Sequence, residues 1–338
     1  MKGHIDKLSK NIEFDIKDKP IGAIQWDFIC SIPEAEQSMI QNYEDGPESI
    51  FLYLTSKCSM KCKDCNNNIQ ELDIENIRKL IDEQSKKRLN YVILDGDPFK
   101  YHDIQKIIEI FENYKMTYSI NTFSMPTDKA LNYIANTVSK IQFKMKNINS
   151  EDEYTKRVIN TLKKCKEKGI YTAIIFSIIG DNHTEIKEMI DFCKKYNVRQ
   201  FSFSRLDICY KKKNHNFIDK DNYLKLSETL LSFRKTENKI HITSNDAIWK
   251  GCGACSTSLT IMPNGDIIPC AYLNIVCGNL KKQEIEKAWA SEVFKNIRES
   301  NLKGKCGECK YKFLCKGCRA LPYIKGNDYL EEDKGCWI

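Results

Sequence analysis

The sequence predicts an α/β fold, a partial (β/α)6 TIM-like barrel with a small cysteine-rich domain at its C-terminal end. Three observations predict it. Between Phe51 and Leu206, six short runs rich in β-branched and aromatic residues alternate with amphipathic stretches, the signature of a parallel sheet with helical crossovers. Six units are fewer than the eight that close a full barrel, so the barrel is expected to be open-sided. Nine of the sixteen cysteines fall within residues 252–336, where the alternation has stopped.

Taken in order, residues 1–48 are polar apart from apolar islands within Ile21–Ile32, which suits an edge hairpin or a short recognition arm. The strands are expected at Phe51–Thr55, Tyr91–Leu94, Thr117–Asn121, Lys140–Met145, Tyr171–Ile178 and Gln200–Leu206. Helical periodicity lies between them at Ile74–Leu89, Ile104–Tyr114, Asp128–Asn136, Asp152–Lys168 and Glu185–Tyr196, with Gly169 placed as a C-cap. A further helix is expected at Asp219–Phe233. After about residue 245 the chain turns to glycines, short turns and cysteines, and a segment so poor in core-forming runs is expected to be held by metals. The division is therefore an N-terminal extension at 1–48, a barrel at 49–240 and a cysteine-rich domain at 241–338. In such folds ligands bind on the loops at the carboxyl ends of the strands.

Composition narrows the function. No apolar run approaches the roughly 18 residues of a membrane span, and the start MKGHIDKLSK lacks the apolar stretch of a secretory signal. A cytoplasmic location is expected, and no membrane partner. In a reducing compartment, clustered cysteines serve as metal ligands or in catalysis rather than as disulfides. The net charge of +7 is spread among 46 acidic residues. It forms no stripe of the kind a nucleic-acid face needs, and Lys211-Lys212-Lys213 reads as a solvated loop.

Directly after the first strand stands Cys58-Ser59-Met60-Lys61-Cys62-Lys63-Asp64-Cys65. Three thiolates at this spacing can hold three corners of a cubane cluster and leave the fourth iron open to a cofactor, whereas a fully ligated cluster only relays electrons. Structural zinc would want four closed ligands. The stretch resembles the CxxxCxxC signature of radical S-adenosylmethionine enzymes. That resemblance implies a [4Fe-4S] cluster on Cys58, Cys62 and Cys65 with S-adenosylmethionine on its open iron. Asp64 stands where most members have an aromatic residue against the adenine, so adenine contact must come from elsewhere. The family's Gly-Gly-Glu-Pro loop after strand two corresponds to Asp95-Gly96-Asp97-Pro98, which makes Gly96, Asp97 and Pro98 cofactor-binding candidates, mostly through backbone. Asn121, ending strand three, matches a polar position near the cofactor's carboxylate or ribose. The Ser-Leu-Asp-Gly-like stretch after strand four is replaced by Lys144-Met145-Lys146. One of these lysines could meet the cofactor's carboxylate, though a solvated lysine is the simpler reading.

The second array comprises Cys252, Cys255, Cys270, Cys306, Cys309, Cys315, Cys318 and Cys336. Taken alone, the two Cys-x2-Cys pairs at 306–309 and 315–318 would suit a zinc knuckle, but eight ligands in one short segment exceed a single ion. The array resembles the SPASM domain, the auxiliary-cluster extension of radical enzymes that mature peptides and proteins. The stretch Leu259 to Cys270 fits its hairpin, with Asn264-Gly265 as the turn, and Gly278-Asn279-Leu280 fits the stretch that follows. The resemblance implies one auxiliary cluster on Cys252, Cys255, Cys270 and Cys318 and another on Cys306, Cys309, Cys315 and Cys336, three [4Fe-4S] clusters in all. Cys277 could exchange with Cys252. Cys315 and Cys318 are separated by two residues where the family usually has three.

The chemistry so implied is reductive cleavage of S-adenosylmethionine to a 5′-deoxyadenosyl radical, hydrogen abstraction from an unactivated carbon, and a net oxidation. The leading expectation is an oxidoreductase that installs a thioether or carbon–carbon crosslink in a ribosomally made peptide, with an external reductant such as flavodoxin or ferredoxin. Alternatives are formylglycine formation in a sulfatase, peptide epimerisation, and a non-enzymatic electron carrier or zinc scaffold. Ala271 stands where sulfatase-maturing members place an aspartate after the cysteine that Cys270 matches, which counts against the first. On the loops after strands five and six, Asp181, His183 and Asp207 are the candidates for a base. Residues 1–48 are shorter than the winged-helix peptide-recognition domain such enzymes use.

Overall fold

The computed structural model describes residues 46–59, 68–149, 151–206, 217–236, 239–282 and 284–338. Most of the N-terminal extension, together with Cys62, Cys65, Asp207 and Lys211 to Lys213, lies outside them. Among the described residues no helix is long and apolar enough to cross a membrane.

The expected strands are all present, as β1 (Ser49–Tyr53), β2 (Tyr91–Asp95), β3 (Thr117–Thr122), β4 (Lys140–Met145), β5 (Thr172–Ser177) and β6 (Gln200–Ser204). A seventh, β7 (His241–Ser244), follows and pairs parallel with β6. The helices between them are α1 (Ile74–Ser85), α2 (Ile104–Asn113), α3 (Asp128–Ile134), α4 (Glu153–Glu167), α5 (Ile186–Lys195) and α6 (Lys220–Thr236). Side chains at the N-caps fix where four of these begin. Asp73 accepts from Glu75 N, Asp103 from Lys106 N, Thr127 from Ala130 N and Asp152 from Thr155 N, each satisfying a donor that the first turn leaves open. Parallel strands flanked by helices are buried on both faces. Accordingly all six residues of β5 are buried, and Phe176, Phe201 and Phe203 are wholly enclosed.

The sheet does not close. Its order is β10-β9-β8-β1-β2-β3-β4-β5-β6-β7. The cysteine-rich segment adds β8 (Ser258–Ile261) parallel to β1, with Ser49 opposite Ser258 and Leu52 opposite Ile261. Next come β9 (Asp266–Ile268), antiparallel to β8, and β10 (Gly278–Asn279), antiparallel to β9. The expected hairpin turn forms at Asn264-Gly265, where Asn279 Nδ2 donates to Asn264 O at 3.3 Å and to Asp266 Oδ1 at 2.8 Å.

The segment after residue 245 carries apolar packing of its own. Helices Ile285–Trp289 and Glu292–Arg298 bury Ile285, Trp289, Phe294 and Ile297, and the Trp289 and Phe294 rings lie 5.5 Å apart. Helices of five and seven residues are too short for a periodicity read over 11–18 residues to detect. Replacing Phe294, which is fully buried, by Ala should therefore cost the metal-free chain about 3–5 kcal/mol in a denaturant titration. A cost under about 1 kcal/mol would show that metals alone order this segment.

Candidate active site

The carboxyl ends of β1 to β4 converge on two buried carboxylates from the Asp95-Gly96-Asp97-Pro98 loop. Asp97 works as a strut. Its Oδ1 accepts from Phe123 N at 2.9 Å, Ser124 N at 2.7 Å and Thr122 Oγ1 at 3.3 Å, while its Oδ2 accepts from Ser59 N. The residue next to Cys58 is thus tied to the loop after β3. Cys58 itself is half-buried and packs with Tyr154 against Phe123 and Ile175. Asp95 faces the other way, accepting from Asn121 Nδ2 at 2.9 Å and pairing with the Lys144 ammonium. Gly96 turns between them at φ +85°, with Tyr53 Cδ1 3.1 Å from where a Cβ would stand, so a larger residue would be strained and crowded.

Several candidates thereby acquire definite surroundings. The Asp97 and Asn121 side chains are engaged with protein partners. Lys144 is not the solvated lysine of the simpler reading. It is 4% exposed, lies 5.1 Å from the Phe123 ring centroid and accepts Tyr154 Oη on its carbonyl at 2.7 Å. Two departures from the family pattern explain each other: an aspartate at 95 requires a counter-ion, and the lysine on β4 is that counter-ion. Asp181 is exposed at the start of the short 182–185 turn after β5. His183, in that turn, is half-buried, with Nδ1 buried and without a hydrogen-bond partner.

The second group of cysteines divides in two. Cys306, Cys309, Cys315 and Cys336 line one cavity of about 460 Å³. Cys252, Cys255, Cys270 and Cys318 do not line that cavity. Cys255, Cys270 and Cys318 are each close enough to Cys252 to interact with it electrostatically, as Cys318 is to Cys270. Cys277, whose Sγ donates to Ile275 O at 3.4 Å, also lies near Cys255. Burial pushes the Cys270 thiol up to about 12 and that of Cys336 to about 11. Binding a metal centre must therefore displace protons. Among the described residues no three His, Cys, Asp or Glu side chains close on a single metal ion. A thiol-rimmed cavity of this size has room for a cluster of several atoms, and all-thiolate donors are the usual holders of iron–sulfur clusters.

Family models match this chain twice, as the radical SAM superfamily over residues 52–193 and as the SPASM iron–sulfur cluster-binding domain over residues 252–319. The chain carries a radical SAM domain and a SPASM domain. An AdoMet-dependent heme synthase of Methanosarcina barkeri is 41% identical over 93 residues, 27% of this chain and 27% of that protein. The antilisterial bacteriocin subtilosin biosynthesis protein AlbA of Bacillus subtilis is 22% identical, covering 84% of this chain and 69% of AlbA. Among solved structures, Streptococcus suis SuiB bound to precursor peptide SuiA superposes with a TM-score of 0.72 at 20% identity, covering 90% of this chain and 79% of SuiB. Radical SAM and SPASM domains imply bound [4Fe-4S] clusters and S-adenosylmethionine.

A feature the sequence did not disclose joins the SPASM domain to the radical SAM barrel. Arg205, one residue past β6, is buried and forks onto Asp333, with Nη2 to Oδ2 at 2.9 Å and Nη1 to Oδ1 at 3.3 Å. Its Nε lies 3.6 Å from Asp246 Oδ2, which also accepts from Tyr223 Oη at 2.6 Å. Asp333 in turn accepts from Cys318 N at 3.0 Å, and its own N–H donates to Cys306 Sγ at 3.4 Å. Asp333 thus touches both groups of cysteines, Cys318 through its carboxylate and Cys306 through its backbone N–H. Burial alone would raise the Asp333 pKa, but Arg205 and the N–H groups of Cys318 and Gly335 hold it below the usual carboxylate range. Gly335 has to be glycine because Arg205 Nη1 occupies the space a Cβ would need.

Removing the Asp97 strut leaves buried N–H groups without acceptors, each costing about 1–3 kcal/mol. Asp97→Ala should weaken S-adenosylmethionine binding at least about tenfold, equivalent to about 1.4 kcal/mol, in equilibrium binding to the reconstituted protein. Unchanged affinity would show that the Cys58 loop holds its shape without it.

Proposed function

We propose that this enzyme is an oxidoreductase that matures a ribosomally made peptide by installing a thioether or carbon–carbon crosslink. The observation that carries the reading is the joining of an open-sided radical SAM barrel to a SPASM segment in which Cys306, Cys309, Cys315 and Cys336 line one cavity. On this reading Cys58, Cys62 and Cys65 hold the cluster that binds S-adenosylmethionine. Cys252, Cys255, Cys270 and Cys318 hold one auxiliary cluster, and Cys306, Cys309, Cys315 and Cys336 hold the other. When bound, the first cluster and S-adenosylmethionine supply a 5′-deoxyadenosyl radical that takes hydrogen from an unactivated carbon.

The chain's own residues do the remaining work. Asp97 fixes the approach to Cys58, the Asp95–Lys144 pair shapes the barrel mouth, and the open side admits an extended chain. Forming a crosslink removes a proton and an electron in addition to the abstracted hydrogen. His183, with its unpartnered Nδ1, and Asp181 stand on the loop after β5, where either could take up a proton; Asp207, outside the described residues, remains the third candidate. The two SPASM cysteine sets give the electron a place to be received, and a flavodoxin or ferredoxin serves as external reductant. Support also comes from the likeness to SuiB, described with its precursor peptide, and to AlbA, a bacteriocin biosynthesis protein. The second reading, tetrapyrrole chemistry, is favoured by the 41% identity to a heme synthase over a quarter of the chain.

Two experiments test this. Anaerobic reconstitution should yield about twelve iron atoms per chain, four for each of three cubane clusters. Zinc in the SPASM segment would refute the auxiliary assignment. Incubation with S-adenosylmethionine, reductant and a candidate precursor peptide should give a product lighter by about two hydrogens, read by mass spectrometry. An unchanged mass with solvent deuterium at one carbon would mean epimerisation. Turnover of a porphyrin precursor with no peptide would overturn the proposal in favour of the heme reading.

A further inference from the structure

Lys316 is an unusual lysine. It lies between Cys315 of one SPASM set and Cys318 of the other, and is 3% exposed. Its backbone is left-handed at φ +59°, a conformation that costs most residues about 1–2 kcal/mol. Its Nζ donates to Phe313 O at 2.7 Å. The residue lines the cavity shared by Cys306, Cys309, Cys315 and Cys336. Burial lowers the Lys316 pKa, and the neighbouring Cys252, Cys255 and Cys315 oppose that shift. The two sets are close enough for Cys252 N to donate to Cys315 O at 3.2 Å. Burying an ammonium is unfavourable unless negative charge surrounds it, and thiolate-held clusters on both sides would supply that charge.

We propose that Lys316 is a positioning residue whose ammonium is shared by the two auxiliary clusters and raises the affinity of both for an electron. Adding one electron to either cluster adds one negative charge, and a buried cation stabilises the more negative state. A single charge between two redox centres shifts both in the same direction, so an electron received by one set is retained without trapping it there. The first cluster, on the Cys58 loop, lies outside this arrangement. This inference rests on the auxiliary-cluster assignment above.

The test is spectroelectrochemical titration of the reconstituted enzyme, following the auxiliary clusters by electron paramagnetic resonance. Arg, Gln and Met at position 316 all have long side chains and share the same left-handed strain, so the backbone cost largely cancels between variants. Lys316→Met and Lys316→Gln should each lower both auxiliary midpoints by at least about 59 mV, a tenfold loss in the one-electron reduction equilibrium. The first cluster should not move, and Lys316→Arg should stay near the parent enzyme. If the neutral variants lose iron while Lys316→Arg keeps it, the charge is needed for the clusters themselves, which also supports the proposal. Unchanged midpoints in iron-replete neutral variants, a shift at only one auxiliary cluster, or equal iron loss in Lys316→Arg would overturn it. Absence of auxiliary clusters in the parent enzyme would instead bring down the assignment beneath it.

Discussion

The arrangement of the whole molecule depends on the buried pairing of Arg205 with Asp333. Arg205 belongs to the barrel, where it leaves β6. Asp333 belongs to the C-terminal tail, and through its carboxylate and its N–H it meets Cys318 and Cys306. Two charges taken out of water need close geometry and additional hydrogen bonds. Here the fork onto Asp333 and the Cys318 and Gly335 N–H groups supply them, while the Asp246 carboxylate and the Tyr223 ring, 4.8 Å from the guanidinium, add electrostatic attraction. The tail therefore has little freedom to dock elsewhere, and Cys306 and Cys318 are held to the barrel through Asp333 and Arg205.

The opposite side of the sheet completes the constraint. β8 extends the barrel by pairing with β1, the strand that leads into Cys58. The SPASM segment is thus anchored at β1 through backbone hydrogen bonds and near β6 through a buried ion pair, bracketing the open barrel. Within the mouth the same economy recurs. Asp97 ties the Cys58 loop to the end of β3, while Asp95 ties β2 to β4 through Lys144. Buried carboxylates, each satisfied by partners on different strands, hold the loops that apolar packing alone would leave adjustable.

Much of this was legible in the sequence, for identifiable reasons. Strand and helix positions followed from periodicity, and β4 was read with both ends correct because Lys140 and Met145 bound an uninterrupted β-favouring run. The cysteine spacings and the Asn264-Gly265 turn were legible because they are local patterns. What escaped was non-local. Arg205 and Asp333 are 128 residues apart and Arg205 and Asp246 are 41 apart, and no local pattern announces such pairings. The pairing of β8 with β1 was hidden for the same reason. The sequence suggests a solvated Lys144 because a lysine on a strand usually reaches solvent, and its partner Asp95 lies 49 residues away.

The central claim, that one buried ion pair positions the SPASM cysteines on the barrel, is tested most directly by a double-mutant cycle on Arg205 and Asp333. The quantity measured is the unfolding free energy of Arg205→Met, Asp333→Leu and the combined variant. Each single change should cost about 3–5 kcal/mol, because it strands a buried charge. The combined variant should cost well below the sum of the two, since Arg205 and Asp333 no longer strand each other and the loss at Asp246 is already counted in Arg205→Met. Costs that simply add, or single changes that lose under about 1 kcal/mol, would contradict the claim.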